Sequence, residues 1–533
     1  MQPKMSQAEP SWIAPGPNAT PEIPGADAFC ETSLLDVLTR AVERDPEAIA
    51  LTDPNGGMSY AALLRLALNA ARAVTERTRP TDPVALLTRR CPDHVAALLG
   101  CLIAGRTCLV IDAFDPIERR EILLADARPA LVLADAAAGL AYPLLSFNEV
   151  LAFNEAISAD GPAGRWQPDQ VWDADRPCAV HFTSGSTGRP KGIVLSARSV
   201  LYRALQVIDT FALTPADRMW HTTVPLTSTG TAAVLAVLVS GGRVIVSDLA
   251  REGVNATLNL LEREAVTFGS TPPAVLHALL SARRADAAFR HLRKLRLGSS
   301  AVARAELAAF RAALPPECEM YFSYASTEAL TISTWRVPAD DDGDELNLPS
   351  GFLHFCHDYA LLDENGHSVA ADEAGELMIR SRYVALGEWR DGRVTEGRMI
   401  PVPGRPGWRT FRTGDVVRIG PDGMLRVIGR TDRQVKINGM LVHPAEIETV
   451  LKAEPGVIDA AVVACPTRSG DTLHGFIAVA DPADATLAPV LRARLRTALP
   501  GPLRPATLTV LEELPRLPSG KVDLIKLREM ARG

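Results

Sequence analysis

Between residues 84 and 134, short apolar runs alternate with longer stretches of helical spacing, and no other feature restricts the fold of this chain as much. Val84–Thr88, 108–111 and 130–134 read as strands, with helices expected over 92–104 and 116–127. Strands that alternate with helices make parallel sheets covered on both faces. The expected fold is therefore α/β, with doubly wound sheets and helices on both faces. Ligands of such folds gather beyond the carboxyl ends of the strands. A further apolar run, 179–182, reads as a buried strand and ends in Thr183-Ser184-Gly185-Ser186-Thr187-Gly188-Arg189-Pro190-Lys191-Gly192. Exposed N–H groups and hydroxyls on such a turn form a nest for anionic oxygens. Gly185, Gly188 and Gly192 admit positive φ and close approach to a ligand, and Lys191 adds a point charge suited to phosphate. The stretch is not a Walker A loop, because Pro190 precedes the lysine and Gly192 follows it.

At 533 residues the chain has room for roughly three or four domains or subdomains. Its 47% hydrophobic and 22% charged residues are those of an ordinary globular protein. A net charge of −7 gives no reason to expect nucleic acid or an anionic membrane as partner. Eight cysteines are scattered without metal-ligand spacing, which suits a reducing cytoplasm. The N-terminus lacks the order of a signal peptide, and no apolar run is long enough to span a bilayer. Residues 1–28, rich in Pro, Ala and polar side chains, are expected to form a disordered tail. Beyond them Ser33 and Ser59 stand where they would cap the first two helices.

The 183–192 stretch closely resembles the phosphate loop of the adenylate-forming superfamily, which includes acyl-CoA synthetases, luciferases and the adenylation domains of nonribosomal peptide synthetases. Further matches follow in the family's order, covering residues 32 to 527. Ile103-Ala104-Gly105 and 126–133 look like early structural motifs of the peptide-synthetase type. Tyr324-Ala325-Ser326-Thr327-Glu328 stands where the family carries Tyr-Gly-x-Thr-Glu. The resemblance implies that Tyr324 packs on adenine, Thr327 touches phosphate and Glu328 helps to hold Mg²⁺. It also assigns Ser299 and Ser300 to nucleotide binding, Asp415 to the ribose hydroxyls and Arg430 to the region of ribose and phosphate. Asp432 becomes the interdomain hinge, and Lys521 matches the near-terminal catalytic lysine. Two positions depart from the pattern: Ala325 replaces the usual glycine, and Glu388 stands in 381–389 where an aromatic is usual. The implied domains are a large N-terminal adenylation domain over 29–430 and a small, mobile α+β lid over 431–533.

Such a protein would let a small carboxylic acid attack the α-phosphorus of ATP, giving an acyl-adenylate and pyrophosphate. Thr183, Ser184, Gly185, Ser186, Thr187, Gly188 and Lys191 would surround the phosphates, with Lys521, Glu328 and Thr327 as the catalytic set. The matching pocket positions are Ser228, Thr229, Ala232, Ser270, Leu297, Ser323, Thr331 and Ile332, a small, neutral, mildly polar lining suited to an aryl, hydroxy or short functionalised acid. Ser228 stands where amino-acid-activating relatives carry an aspartate for the α-ammonium, so a standard α-amino acid is disfavoured. The early motifs lean towards a stand-alone peptide-synthetase type that passes the acyl group to the phosphopantetheine of an acyl or peptidyl carrier protein in trans. Free CoA, an amine acceptor and activation of another oxyanion are alternatives. A catalytically silent nucleotide binder is the alternative of another class.

Overall fold

The computed structural model describes residues 10–13, 21–135, 142–152, 168–169, 171–184, 190–437, 440–454, 456–467, 470–479, 487–498, 504–516 and 522–532. The alternation over 84–134 becomes part of an eight-stranded sheet. Val84–Thr88 pairs in parallel with Cys108–Asp112 on one side and Leu131–Ala134 on the other. Pro177–Ser184 joins beside Cys108–Asp112, again in parallel. Every residue of Val84–Thr88 is buried, as a strand covered on both faces requires. Leu123 and Leu124, from the helix Ile117–Ala127, pack on one face against Ala85, Leu87 and Ile111.

A second sheet, of fourteen strands, begins in the same way. Ile49–Asp53, Arg243–Ile245, Arg218–His221, Phe268–Thr271, Lys294–Gly298 and Glu319–Ser326 lie side by side and parallel. Beyond Glu319–Ser326 its neighbours turn antiparallel, through Leu330–Val337 to Met424–Arg430, Arg409–Ile419 and Gly375–Ser381. No helix stands between residues 319 and 430 to carry the chain back across the sheet, so hairpins make the pairs there. The main core joins both sheets through the helices Leu34–Arg44, Tyr60–Thr75, Pro92–Ile103, Ala197–Phe211 and Ser228–Val239. Ser33 and Ser59 cap as expected, accepting from the backbone N–H groups of Asp36 and Ala62 at 3.1 and 3.2 Å. Each such cap contributes about 1 kcal/mol.

Past Thr431 the chain builds a core of its own. Val457–Thr467 and Gly470–Val479 pair antiparallel, and Thr507–Leu511 adds in parallel. Ile447, Leu451 and Leu491 cover one face of this small sheet, and Leu527 the other. Asn347 Nδ2 donates to Thr449 Oγ1 at 2.7 Å and links this core to the larger one. Part of the expected tail is also tied down. Ile13 N donates to Tyr359 O at 2.6 Å on the edge strand Asp358–Leu362, and Arg380 lies over the Trp12 ring, 3.9 Å from its centroid. The helix Ala26–Glu31 begins before residue 29 and buries Ala26 and Cys30. Edge pairing and apolar burial are what hold N-terminal segments in place. No helix among the described residues is long and apolar enough to cross a membrane.

Candidate active site

The strands Pro177–Ser184 and Pro190–Ser196 form a hairpin with Thr183 opposite Lys191 and Ser184 opposite Pro190. The hydroxyl-rich stretch thus leaves the carboxyl end of a parallel strand, as expected. Gly185, Ser186, Thr187 and Gly188 lie outside the described residues. Gly192 needs no positive φ. A Cβ there would lie 2.8 Å from Val180 Cγ1 and 3.0 Å from Trp389 Cβ, so close packing requires the glycine rather than backbone freedom beside a ligand. The strand Gly387–Arg390 pairs along Pro190–Ser196 and gives Glu388 its purpose. Glu388 is 2% exposed, with Oε1 3.7 Å from Lys191 Nζ and Oε2 accepting from Arg390 Nη2 at 2.6 Å. The departure from an aromatic sets a buried counter-charge beside Lys191.

Two of the residues expected around the nucleotide, Tyr324 and Arg430, meet on a third, the Asp415 carboxylate. Cross-strand register sets Asp415 opposite Arg430. Arg430 Nη1 donates to Asp415 Oδ1 at 2.9 Å, and Tyr324 Oη donates to Asp415 Oδ2. Arg430 Nε also donates to Asp432 Oδ1 at 2.9 Å. Burial raises the Asp415 carboxyl above its ordinary range, against the pull of Arg430. Burial and the Asp415 charge push the Tyr324 phenol well up, so it stays a donor. Each Asp415 oxygen keeps a second lone pair for a ligand hydroxyl. Ala325 sits beside a bulge in this hairpin without positive φ, so its Cβ adds no backbone strain. Leu330 takes the left-handed turn instead, at φ 62°. Glu328 Oε1 accepts from Arg398 Nη2 at 3.2 Å, while Oε2 has no hydrogen bond among the described residues. Ser299, at φ 73°, follows the strand Lys294–Gly298 and is exposed with Ser300. A non-glycine residue held there costs on the order of 1 kcal/mol, a strain typical of ligand sites. Lys521 lies outside the described residues.

The third group surrounds a cleft. Thr227 caps the helix Ser228–Val239 by accepting from Gly230 N at 3.1 Å, which starts that helix four residues before the expected 232. Thr229, Ser323 and Thr331 line the cleft, together with Arg203, Gln206 and Arg296. Ser228 Oγ accepts from Arg203 Nη1 and faces Thr327 Oγ1 at 3.5 Å. Ser270 Oγ accepts from Arg296 Nη1 at 3.4 Å. Ala232, Leu297 and Ile332 are buried and do not border the open space. The lining is therefore not neutral, because two arginines enter it that the sequence reading missed. One signal for Arg203 was available: Ser199, Arg203 and Gln206 recur at i, i+4 and i+7, a polar stripe on one helix face.

Comparison with known proteins comes down to one family. Its model, described as AMP-binding enzyme, matches residues 38–389, and the model of its C-terminal domain matches residues 446–521. The isonitrile lipopeptide synthase of Streptomyces coeruleorubidus is 31% identical over 91% of this chain and 32% of its own length. Phenyloxazoline synthase MbtB of Mycobacterium tuberculosis is 30% identical over 98% of this chain and 37% of its own length. This chain thus spans about a third of those two relatives. The anthranilate CoA ligase AuaEII, solved in complex with anthranoyl-AMP, has the same fold: TM-score 0.82 at 22% identity, over 96% of this chain and 99% of that one.

Proposed function

Because the chain belongs to the family of AMP-binding enzymes, we propose that it uses ATP to activate a carboxylic acid as its acyl-adenylate. A carboxylate oxygen attacks the α-phosphorus, the bond to the β,γ-phosphates breaks, and pyrophosphate leaves. The observation that carries this reading is the meeting of Tyr324 and Arg430, 91 and 15 positions from Asp415, on the Asp415 carboxylate. Tyr324 offers its ring to the adenine, and the remaining Asp415 lone pairs accept the ribose hydroxyls. Arg430 supplies positive charge beside the ribose. Ser299, Ser300 and the 183–191 hairpin with Lys191 orient the phosphates. Lys521, carried by the C-terminal domain about a hinge at Asp432, brings an ammonium to the reacting carboxylate and α-phosphate. Glu328 suits a Mg²⁺ ion: it is a single carboxylate with one oxygen unbonded among the described residues, and such an ion takes its other ligands from phosphate and water. Bound there, Mg²⁺ would neutralise phosphate charge.

The acyl group then passes to the phosphopantetheine thiol of a carrier protein in trans, a reading supported by the synthases to which the chain is similar. Acid-dependent release of pyrophosphate is the decisive measurement. ADP in its place would mark a phosphotransferase, and no product at all a silent nucleotide binder. Offering a carrier protein and free CoA side by side to the purified adenylate tests the acceptor.

A further inference from the structure

Among the described residues four arginines are deeply buried or line the cleft, and two of them are paired. Arg106 is bonded to Asp169 at 2.8 Å, and Arg198 to Glu31 and Asp175 at 2.6 and 2.8 Å. Arg203 and Arg296 differ. Arg203 projects from the helix Ala197–Phe211 and is 2% exposed. Nη1 donates to Ser228 Oγ and Nη2 to Ser326 O, while Nε meets no acceptor. Arg296, from the strand Lys294–Gly298, reaches Ser270 Oγ at 3.4 Å. Neither guanidinium has an ion-pair partner among the described residues. Glu328, whose charge acts on Arg203 from further off, is paired with Arg398. His221 and His354 add no negative charge, and burial holds their imidazoles down to about 3 and about 4, with Arg296 adding repulsion. Burial, reinforced by Arg296, pushes Arg203 down to about 9, and burial pushes Arg296 down to about 10, so both stay charged at neutral pH.

Buried charge without a counter-charge is costly, and Arg203, buried, with Arg296, half-buried, beside one cleft make a receptor lacking its anion. We propose that the acid substrate carries a second anionic group, received by Arg203 and Arg296 while its first carboxylate is activated. This rests on the adenylation reading above. The substrate class is a short dicarboxylic acid, or a carboxylic acid bearing a sulfonate or phosphonate; the guanidinium fork suits any of these planar or tetrahedral oxyanions. A standard α-amino acid would set its ammonium against two cations.

Pyrophosphate release is measured with short dicarboxylic acids, their half-amides, sulfo- and phosphono-carboxylic acids, neutral monocarboxylic acids of equal length and α-amino acids. The expected result is a kcat/KM for one dianionic acid at least about 100-fold above that of its half-amide. In Arg296→Gln that ratio falls to near one, and Arg203→Gln does the same. Arg296 borders open space and has one weak partner, so its variant keeps the experiment informative should Arg203→Gln fail to fold. Neutral acids or α-amino acids used as well as dianionic ones, or an unchanged ratio in Arg296→Gln, overturns the proposal and leaves adenylation standing. No release with any acid takes both down.

Discussion

On the proposed nucleotide side of the site, Asp415 accepts from Tyr324 and Arg430, and Arg430 turns its other edge to Asp432. On the proposed acid side, Arg203 finds one hydroxyl and one backbone oxygen, and Arg296 one distant hydroxyl. The first arrangement closes its charges within the protein and keeps only lone pairs for the ligand, which fits hydroxyl groups. The second leaves two cations open, which fits an anion. The chemistry of a ligand can thus be read from what a buried group still lacks.

The largest expected effect tests the acid side through pH. His221, His354 and His357 are buried around the two arginines, with imidazoles pushed down to about 3, about 4 and about 3. An unfolded histidine binds its proton near pH 6.5. Below that value the unfolded state takes up protons that the folded state refuses until about pH 4, so stability falls as pH falls through this window. The expected loss between pH 7 and 5 is about 2 kcal/mol per histidine, seen as a lower urea midpoint; an unmoved midpoint would mean these rings are not held neutral. Next comes Lys521→Ala, with a loss of about 10³-fold in pyrophosphate release and an unchanged melting temperature. Undiminished release would remove the lid lysine from the nucleotide side altogether. Asp415→Asn keeps an acceptor for Tyr324 but withdraws one charge from Arg430. The KM for ATP should rise about 10- to 100-fold while the KM for the acid holds, and an equal rise in both would show that the two sides are not separable. The smallest change is expected from Glu388→Gln, which frees Lys191. The KM for ATP should fall about threefold at low salt, and a rise instead would make Glu388 a positioning residue for the hairpin.

The cluster on Asp415 was legible because its residues lie in short contiguous patterns, Tyr324 to Glu328 and Asp415 behind a glycine. The parallel strands were legible because apolar runs alternate with helical spacing. The antiparallel strands over 330–430 carry no such alternation and emerged only with the fold. Arg203 and Arg296 were not legible as a pair. Arg296 alternates with Leu295 and Leu297, which reads as an outward polar position, yet the strand lies inside a sheet flanked by neighbours on both sides. Their convergence comes from a helix and a strand about 90 residues apart, and only tertiary packing supplies it. Glu388 was legible as a departure from the family's aromatic but not as a partner, because its contact to Lys191 crosses from one strand to the next.

The guanidinium of Arg430 is planar and stiff. One edge is bonded to Asp415 at 2.9 Å, and the other to Asp432 at 2.9 and 3.1 Å. Asp432 sits in the single turn Thr431–Arg433, where the chain leaves the large sheet. Arg430 thus fastens the Asp415 carboxylate of the large sheet to the turn that leads into the C-terminal core, one guanidinium shared between the two.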